Sequence, residues 1–110
     1  MAGQQHHGKH GPFVHGLNKG GLEEIRKTSS LISTQGREGR GVAVRALFGS
    51  FEYQRKNKRW DDPQRIYIEF YTDQPPYKGD PIIAQWHLPE GAFLKIYISG
   101  VFNGAGDIVP

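Results

Sequence analysis

Two runs in the second half of the chain set the strongest limit on its fold. In "RIYIEFYT", Ile66, Ile68 and Phe70 alternate with Tyr67, Glu69 and Tyr71. In "FLKIYISGVF", Leu94, Ile96 and Ile98 stand opposite Lys95, Tyr97 and Ser99. A period of two is that of a half-buried strand. Two further runs, "VAVRALF" with "SFEYQR" behind it and "PIIAQWHL", also read as β-type. The connections "NKRWDDPQ", "DQPPYKGD" and "PEGA" are short and turn-rich, which favours antiparallel neighbours. The pattern predicts an α+β fold: a short N-terminal strand and helix packed on a mainly antiparallel sheet of four to six strands.

The N-terminal half supplies the strand and the helix. Residues 1–11 form a Gly/His/Gln-rich tail, read as mobile, and 12–110 a single domain. Phe13 and Val14 read as a short strand. From Leu22 to about Ile32, the positions Leu22, Ile25 and Ile32 fit one helical face, with fraying expected near Leu31. Glu23 and Glu24 precede Arg26 and Lys27, the order that suits the helix dipole. "STQGREGRG" reads as a loop and the basic run "RKNKRW" as a solvated hairpin tip.

Composition narrows the chemistry. The 110 residues allow one core, and the absence of cysteine excludes disulfides, thiolate zinc sites and a thiol nucleophile. No apolar run approaches the roughly 20 residues of a spanning helix, and the polar N-terminus has no secretory h-region. The chain therefore reads as soluble, with no membrane association. A net charge of +3 suits a phosphate-bearing partner without demanding one. Phosphate-loop, HExxH, GxSxG and CxxC motifs are absent. The tail histidines His6, His7 and His10 lack the fixed geometry of a metal site, so no metal is expected.

Several residues remain as candidates. His15 follows an apolar pair and precedes Gly16, which places an imidazole at a strand end where backbone can approach a ligand closely. Tyr67, Glu69 and Tyr71 share one strand face, either a solvated surface or a platform for a planar ring. Thr72 and Asp73 end that strand with hydrogen-bonding groups. Arg45 interrupts an apolar run, so it lies on an exposed face or reaches towards an anion. His87 poses the same choice, while its neighbour Trp86 reads as core. Asp107 follows the permissive turn "NGAG" and is either a turn residue or a general base.

In chain order these pieces resemble a known group. "FVHGLNKGGLEEIRKTSSL" looks like the opening of ADP-ribosyltransferase-like domains, in which a histidine ends the first strand. "FYTDQPP" is similar to the second motif of several bacterial members, and "NGAGDIVP" to the approach to their closing acidic residue. Such domains often form the C-terminal toxin part of large interbacterial polymorphic toxins, paired with an immunity protein. The resemblance implies NAD as substrate, for ADP-ribosyl transfer or NAD hydrolysis. His15, Tyr71, Thr72 and Asp107 would then be catalytic, with Gly16, Lys19, Arg45, Glu69 and His87 in substrate binding. It also implies secretion or delivery, by a larger effector, into a target cell's cytoplasm. The closing residue here is aspartate where the family has glutamate.

Two other function classes fit the same residues. A basic domain with an N-terminal helical unit and four antiparallel strands also looks like metal-independent ribonuclease toxins acting on tRNA or rRNA. There His15 would be general acid or base, Lys19, Arg45 or His87 would stabilise the phosphorane, and Thr72 would orient it. As a non-enzymatic binding module, the chain would use its sheet face and basic run as contact surfaces.

Overall fold

The computed structural model describes residues 8–18, 20–32, 42–58, 60–79, 82–89 and 91–110. The elements run β1 (His10–Gly16), α1 (Gly21–Thr28), β2 (Ser30–Ile32), β3 (Val42–Phe48), α2 (Phe51–Asn57) and β4 (Ile66–Thr72). They continue with β5 (Lys78–Gly79), β6 (Ile83–Leu88), β7 (Phe93–Lys95) and β8 (Tyr97–Asn103). Six strands form one sheet in the order β5-β6-β3-β1-β4-β8, and β2 pairs with β7 in a second, two-stranded sheet. Every described pairing is antiparallel. The α+β architecture with a mainly antiparallel sheet is the one the alternating runs predict.

The large sheet is covered on both faces. On one side Phe13, Ile68, Phe70 and Trp86 pack with Ile25 of α1, Leu31 of β2 and Leu94 of β7. Trp86 is core as expected, 1% exposed, with its ring edge-on to Phe13 at 4.9 Å and its Nε1 donating to the Gln74 carbonyl at 2.9 Å. On the other side Val14, Phe51 and Tyr67 gather with Trp60 and Phe102 beneath α2. Phe51 stacks on Phe102 at 4.3 Å and Trp60 on Tyr67 at 4.2 Å. The C-terminal residues lie alongside β8. Val109 N donates to Val101 O at 2.9 Å, Ile108 bridges to Phe102, and Arg26 donates to the Pro110 carbonyl at 3.0 Å.

Four local expectations change. The first helix stops at Thr28, because Ser29 takes a left-handed conformation (φ 54°) and the chain turns into β2. Its acidic first turn and basic last turn are as predicted. "SFEYQR" is helical, capped by the Ser50 hydroxyl, which accepts from Tyr53 N at 3.1 Å, and it buries Phe51 and Gln54 three residues apart. The basic run therefore starts in the last turn of α2, where Arg55 and Lys56 complement the dipole, rather than at a hairpin tip. Strand β1 begins at His10, so the ordered fold reaches into residues assigned to the tail. A Cβ on Gly8 would lie 2.5 Å from Thr72 N, so a bare α-carbon packs there against the end of β4.

The outer face of β4 is also not the solvated platform its tyrosines imply. Tyr67 is only 8% exposed. Glu69 is half-buried: one carboxylate oxygen accepts from Phe51 N at 2.9 Å, at the start of α2, and the other from the Ser99 hydroxyl at 2.8 Å. The face is a second small core because α2 lies across it.

Candidate functional site

The sheet parts between β1 and β3, and the opening makes a cleft. The two strands pair only at Phe13–Phe48 and Val14–Leu47. Beyond Val14, β1 stays with β4 as far as the Gly16–Tyr67 pair, while β3 stays with β6 as far as Val42–Leu88. Residues of α1, β2 and β7 line the gap from the other side, leaving a cleft of about 600 Å³. Its chemistry is carried by His15, Arg45, Arg65 and Glu24, with Ile32 and Phe93 as apolar lining.

His15 sits at the point of divergence. Its Nδ1 lies 2.7 Å from the Arg45 carbonyl oxygen. A carbonyl only accepts, so Nδ1 carries the proton, and in the neutral ring Nε2 is left with a lone pair. Nε2 has no hydrogen-bond partner among the described residues. The pKa of the ring lies below its ordinary value, chiefly because burial penalises the charged form. The bond to the Arg45 carbonyl opposes this, and the positive charge of Arg65 adds to it. At neutral pH the cleft thus holds a neutral imidazole whose Nε2 can accept a hydroxyl proton.

Arg65 precedes β4 and is exposed, and its guanidinium rests against the sheet. A Cβ on Gly16 would come within 2.9 Å of its Cζ and Nε, so the guanidinium covers the bare α-carbon of Gly16. The same group sits 5.7 Å from the centre of the Tyr67 ring, which is itself stacked on Trp60. No carboxylate among the described residues lies within ion-pair distance of Arg65. Across the cleft Ile32 and Phe93 face each other in register, with 52% and 59% of their surfaces exposed. A flat apolar rim, a neutral histidine and an unneutralised arginine can hold a planar ring, a hydroxyl and an anion.

The residues singled out from the sequence divide into groups. His15, Gly16 and Arg45 line the cleft together. Lys19 lies outside the described residues. Tyr71 and Thr72 sit at the far end of β4, where Thr72 pairs with His10 rather than with His15. Thr72 is buried and its hydroxyl donates to the Lys95 carbonyl at 2.8 Å. Asp73 accepts from the Tyr97 hydroxyl at 3.1 Å. Tyr71 is half-buried, beside Gly8 and Gly11. Glu69 anchors α2 on the opposite face. His87 is exposed on β6, stacked on Tyr77 at 4.1 Å with its Nε2 2.7 Å from the Gln85 amide nitrogen. Asp107 is exposed in a turn organised by Asn103, whose Oδ1 accepts from Asp107 N at 2.9 Å. It does not line the cleft.

Sequence reasoning passed over Glu24, Arg65 and Phe93. Glu24 read as a dipole residue and Phe93 as the start of an ordinary strand. Arg65 carried one usable signal: a glycine inside a strand pattern marks a close approach, and Gly16 is where Arg65 approaches. Among the described residues no three His, Asp or Glu side chains gather as a metal site, and no helix is long and apolar enough to cross a membrane. Compared with known proteins, the chain matches no family model, no curated protein and no solved structure.

Proposed function

We propose that this domain binds NAD in the cleft between β1 and β3 and cleaves its nicotinamide–ribose bond, passing the ADP-ribosyl group to a macromolecule or to water. The observation that carries the reading is the state of His15. It is a neutral imidazole at a strand end, with Nδ1 committed to the Arg45 carbonyl and Nε2 open as an acceptor. Such a nitrogen accepts a ribose hydroxyl and fixes the sugar's orientation. Phe93 supplies an exposed ring on which nicotinamide stacks.

In the reaction the C–N bond breaks and its electron pair leaves with nicotinamide as the neutral base. Positive charge develops on the ribosyl carbon, and a nearby carboxylate stabilises it. Glu24 is a carboxylate residue of the cleft and Asp107 is not, so the role falls to Glu24. A water or acceptor oxygen then bonds to that carbon and loses its proton. The domain on this reading is a toxin part delivered into a target cell and neutralised by a cognate immunity protein. Incubation with NAD tests it: nicotinamide release, with or without cell extract, is expected, and Glu24→Gln and His15→Ala should abolish it. No release from the wild-type domain under either condition overturns the reading.

One observation favours a second reading, a metal-independent ribonuclease. A neutral histidine near an arginine that has no acidic partner among the described residues is also a general base beside a cation that stabilises a phosphorane. Discrete tRNA or rRNA fragments formed in EDTA, and lost in His15→Ala, would establish it.

A further inference from the structure

One of the arginines of the cleft, Arg65, rests on a surface built by the strand pairing, and its surroundings imply a ligand for it. Exposed arginines normally sample many rotamers. Arg65 is exposed and lies against two surfaces. Beneath it is the α-carbon of Gly16, where even a methyl group would meet Cζ and Nε at 2.9 Å and Nη2 at 3.0 Å. Beside it is the Tyr67 ring, 5.7 Å from Cζ, held in turn by the Trp60 stack at 4.2 Å. Both surfaces belong to one pair in the β1–β4 register, Gly16 opposite Tyr67, so the seat is built by the strand pairing itself. His15, which precedes the seat, pairs with Ile68 and points to the α1 face, whereas the seat is on the Tyr67 face; both His15 and Arg65 line the opening between β1 and β3.

Among the described residues no aspartate or glutamate pairs with Arg65. His15 adds no negative charge to offset it. Gly16, a substrate-binding candidate from the sequence, is the floor on which the guanidinium rests. A planar, pre-positioned guanidinium with open donors is suited to two oxygens of one phosphate.

We infer that Arg65, lying on Gly16 and Tyr67, is the phosphate-binding residue of the cleft, and that the ligand's phosphate reaches it through the opening between β1 and β3, from the ribose held by His15 on the other face. Gly16 and Tyr67 are positioning residues: they act through the guanidinium and not on the ligand. The inference rests on the proposed nucleotide reading for its ligand class, and it adds where the phosphate binds. It holds equally for a dinucleotide pyrophosphate and for a phosphodiester.

The test uses inorganic pyrophosphate as the probe, followed through the His15 imidazole signals by NMR, beside the NAD assay. Pyrophosphate is expected to shift the His15 resonances of the wild-type domain. Arg65→Gln should weaken that binding by roughly 10-fold or more, the usual effect of losing charge-assisted bonds to an anion. Arg65→Lys should retain part of it. Gly16→Ala keeps the charge but lifts the guanidinium, so it should weaken pyrophosphate binding while Arg65→Gln,Gly16→Ala is no weaker than Arg65→Gln alone. A purely structural glycine would not show that dependence. If NAD is turned over, Arg65→Gln should raise KM far more than it lowers kcat. Equal pyrophosphate binding in the wild type and Arg65→Gln, or no response of His15 in the wild type, overturns the inference. Arg65-dependent pyrophosphate binding without any NAD turnover leaves the inference standing and removes the NAD reading. NAD turnover with a KM indifferent to Arg65→Gln does the reverse.

Discussion

His15 Nδ1 donates to the backbone carbonyl of Arg45 across 2.7 Å, at the place where β1 and β3 separate. The bond ties the two strands together just past their last pair, and it selects the tautomer of the ring. Asparagine can keep the donor on the Nδ1 side but has nothing in place of Nε2. His15→Asn is therefore expected to remain folded, within about 1 kcal/mol of the wild type, since a donor to the carbonyl is retained. Its turnover of NAD should fall on the order of 100-fold, the usual scale for losing the group that orients the reacting sugar. Urea unfolding and nicotinamide release measure the two effects separately; a variant that unfolds but stays active per folded molecule would contradict the assignment.

The same ring makes stability depend on pH. Burial, with help from Arg65, holds the folded pKa of His15 below the ordinary 6.5, so the unfolded chain takes up a proton more readily than the folded one. Protons then favour unfolding. The contribution of His15 is complete above 6.5 and is lost as the pH falls from there through the folded pKa. Between about pH 7.5 and pH 5.5 the wild type should lose more unfolding free energy than His15→Asn. Parallel losses in the two proteins would rule out His15 as the source.

Glu69 joins α2 to the sheet, with Phe51 N and the Ser99 hydroxyl on its two carboxylate oxygens. Glu69→Gln keeps the shape and the acceptor for Phe51 N but removes the charge, and its amide must donate to the Ser99 hydroxyl, which is left the Glu69 backbone carbonyl as its own acceptor. A loss of about 1–3 kcal/mol is expected, from the usual range for hydrogen bonds to charged groups. It should show in thermal unfolding with NAD turnover per folded molecule unchanged. A stability equal to that of the wild type would mean the carboxylate does not hold the helix.

Gln54, 1% exposed in α2, buries an amide nitrogen without a hydrogen-bond partner. Such a donor carries its desolvation cost uncompensated. Gln54→Met, similar in length and apolar, should raise the melting temperature by a few degrees, about 1 kcal/mol for a domain of this size. A lower melting temperature would show that the amide has a role not visible in its contacts.

Much of the frame was legible because it is local. β4 and β8 announce themselves by alternation, Trp86 by its apolar run, and α1 by the order of its charges. α2 was missed because "SFEYQR" also alternates apolar and polar residues. Only the later burial of Phe51 and Gln54, three apart, distinguishes helix from strand, and that burial depends on Val14 and Tyr67 elsewhere in the chain. The second sheet was invisible for a similar reason. Leu31 and Leu94 lie far apart in sequence, and nothing in either short segment names the other as its partner. The cleft was half legible: His15 and Gly16 stood out by residue type, whereas Arg65 acquires meaning only from the register that sets Gly16 beside Tyr67. Tyr71, Thr72 and Asp107 looked like site residues because of their neighbours in sequence, and the fold spends Thr72 and the backbone of Asp107 on holding chain segments together.

The last residues, running beside β8, bear on how the molecule meets its own copies. An outermost strand of seven residues with bare amides and carbonyls is a template for further strands. Here Val109 and Ile108 occupy part of that margin, and Arg26 fastens Pro110 beyond it. The opposite margin is β5, only two residues long. One border is thus partly occupied by the chain's own end, and on the other β5 covers Ala84 and Gln85 of β6. Trimming residues 108–110 would expose the longer border and favour edge-to-edge self-association.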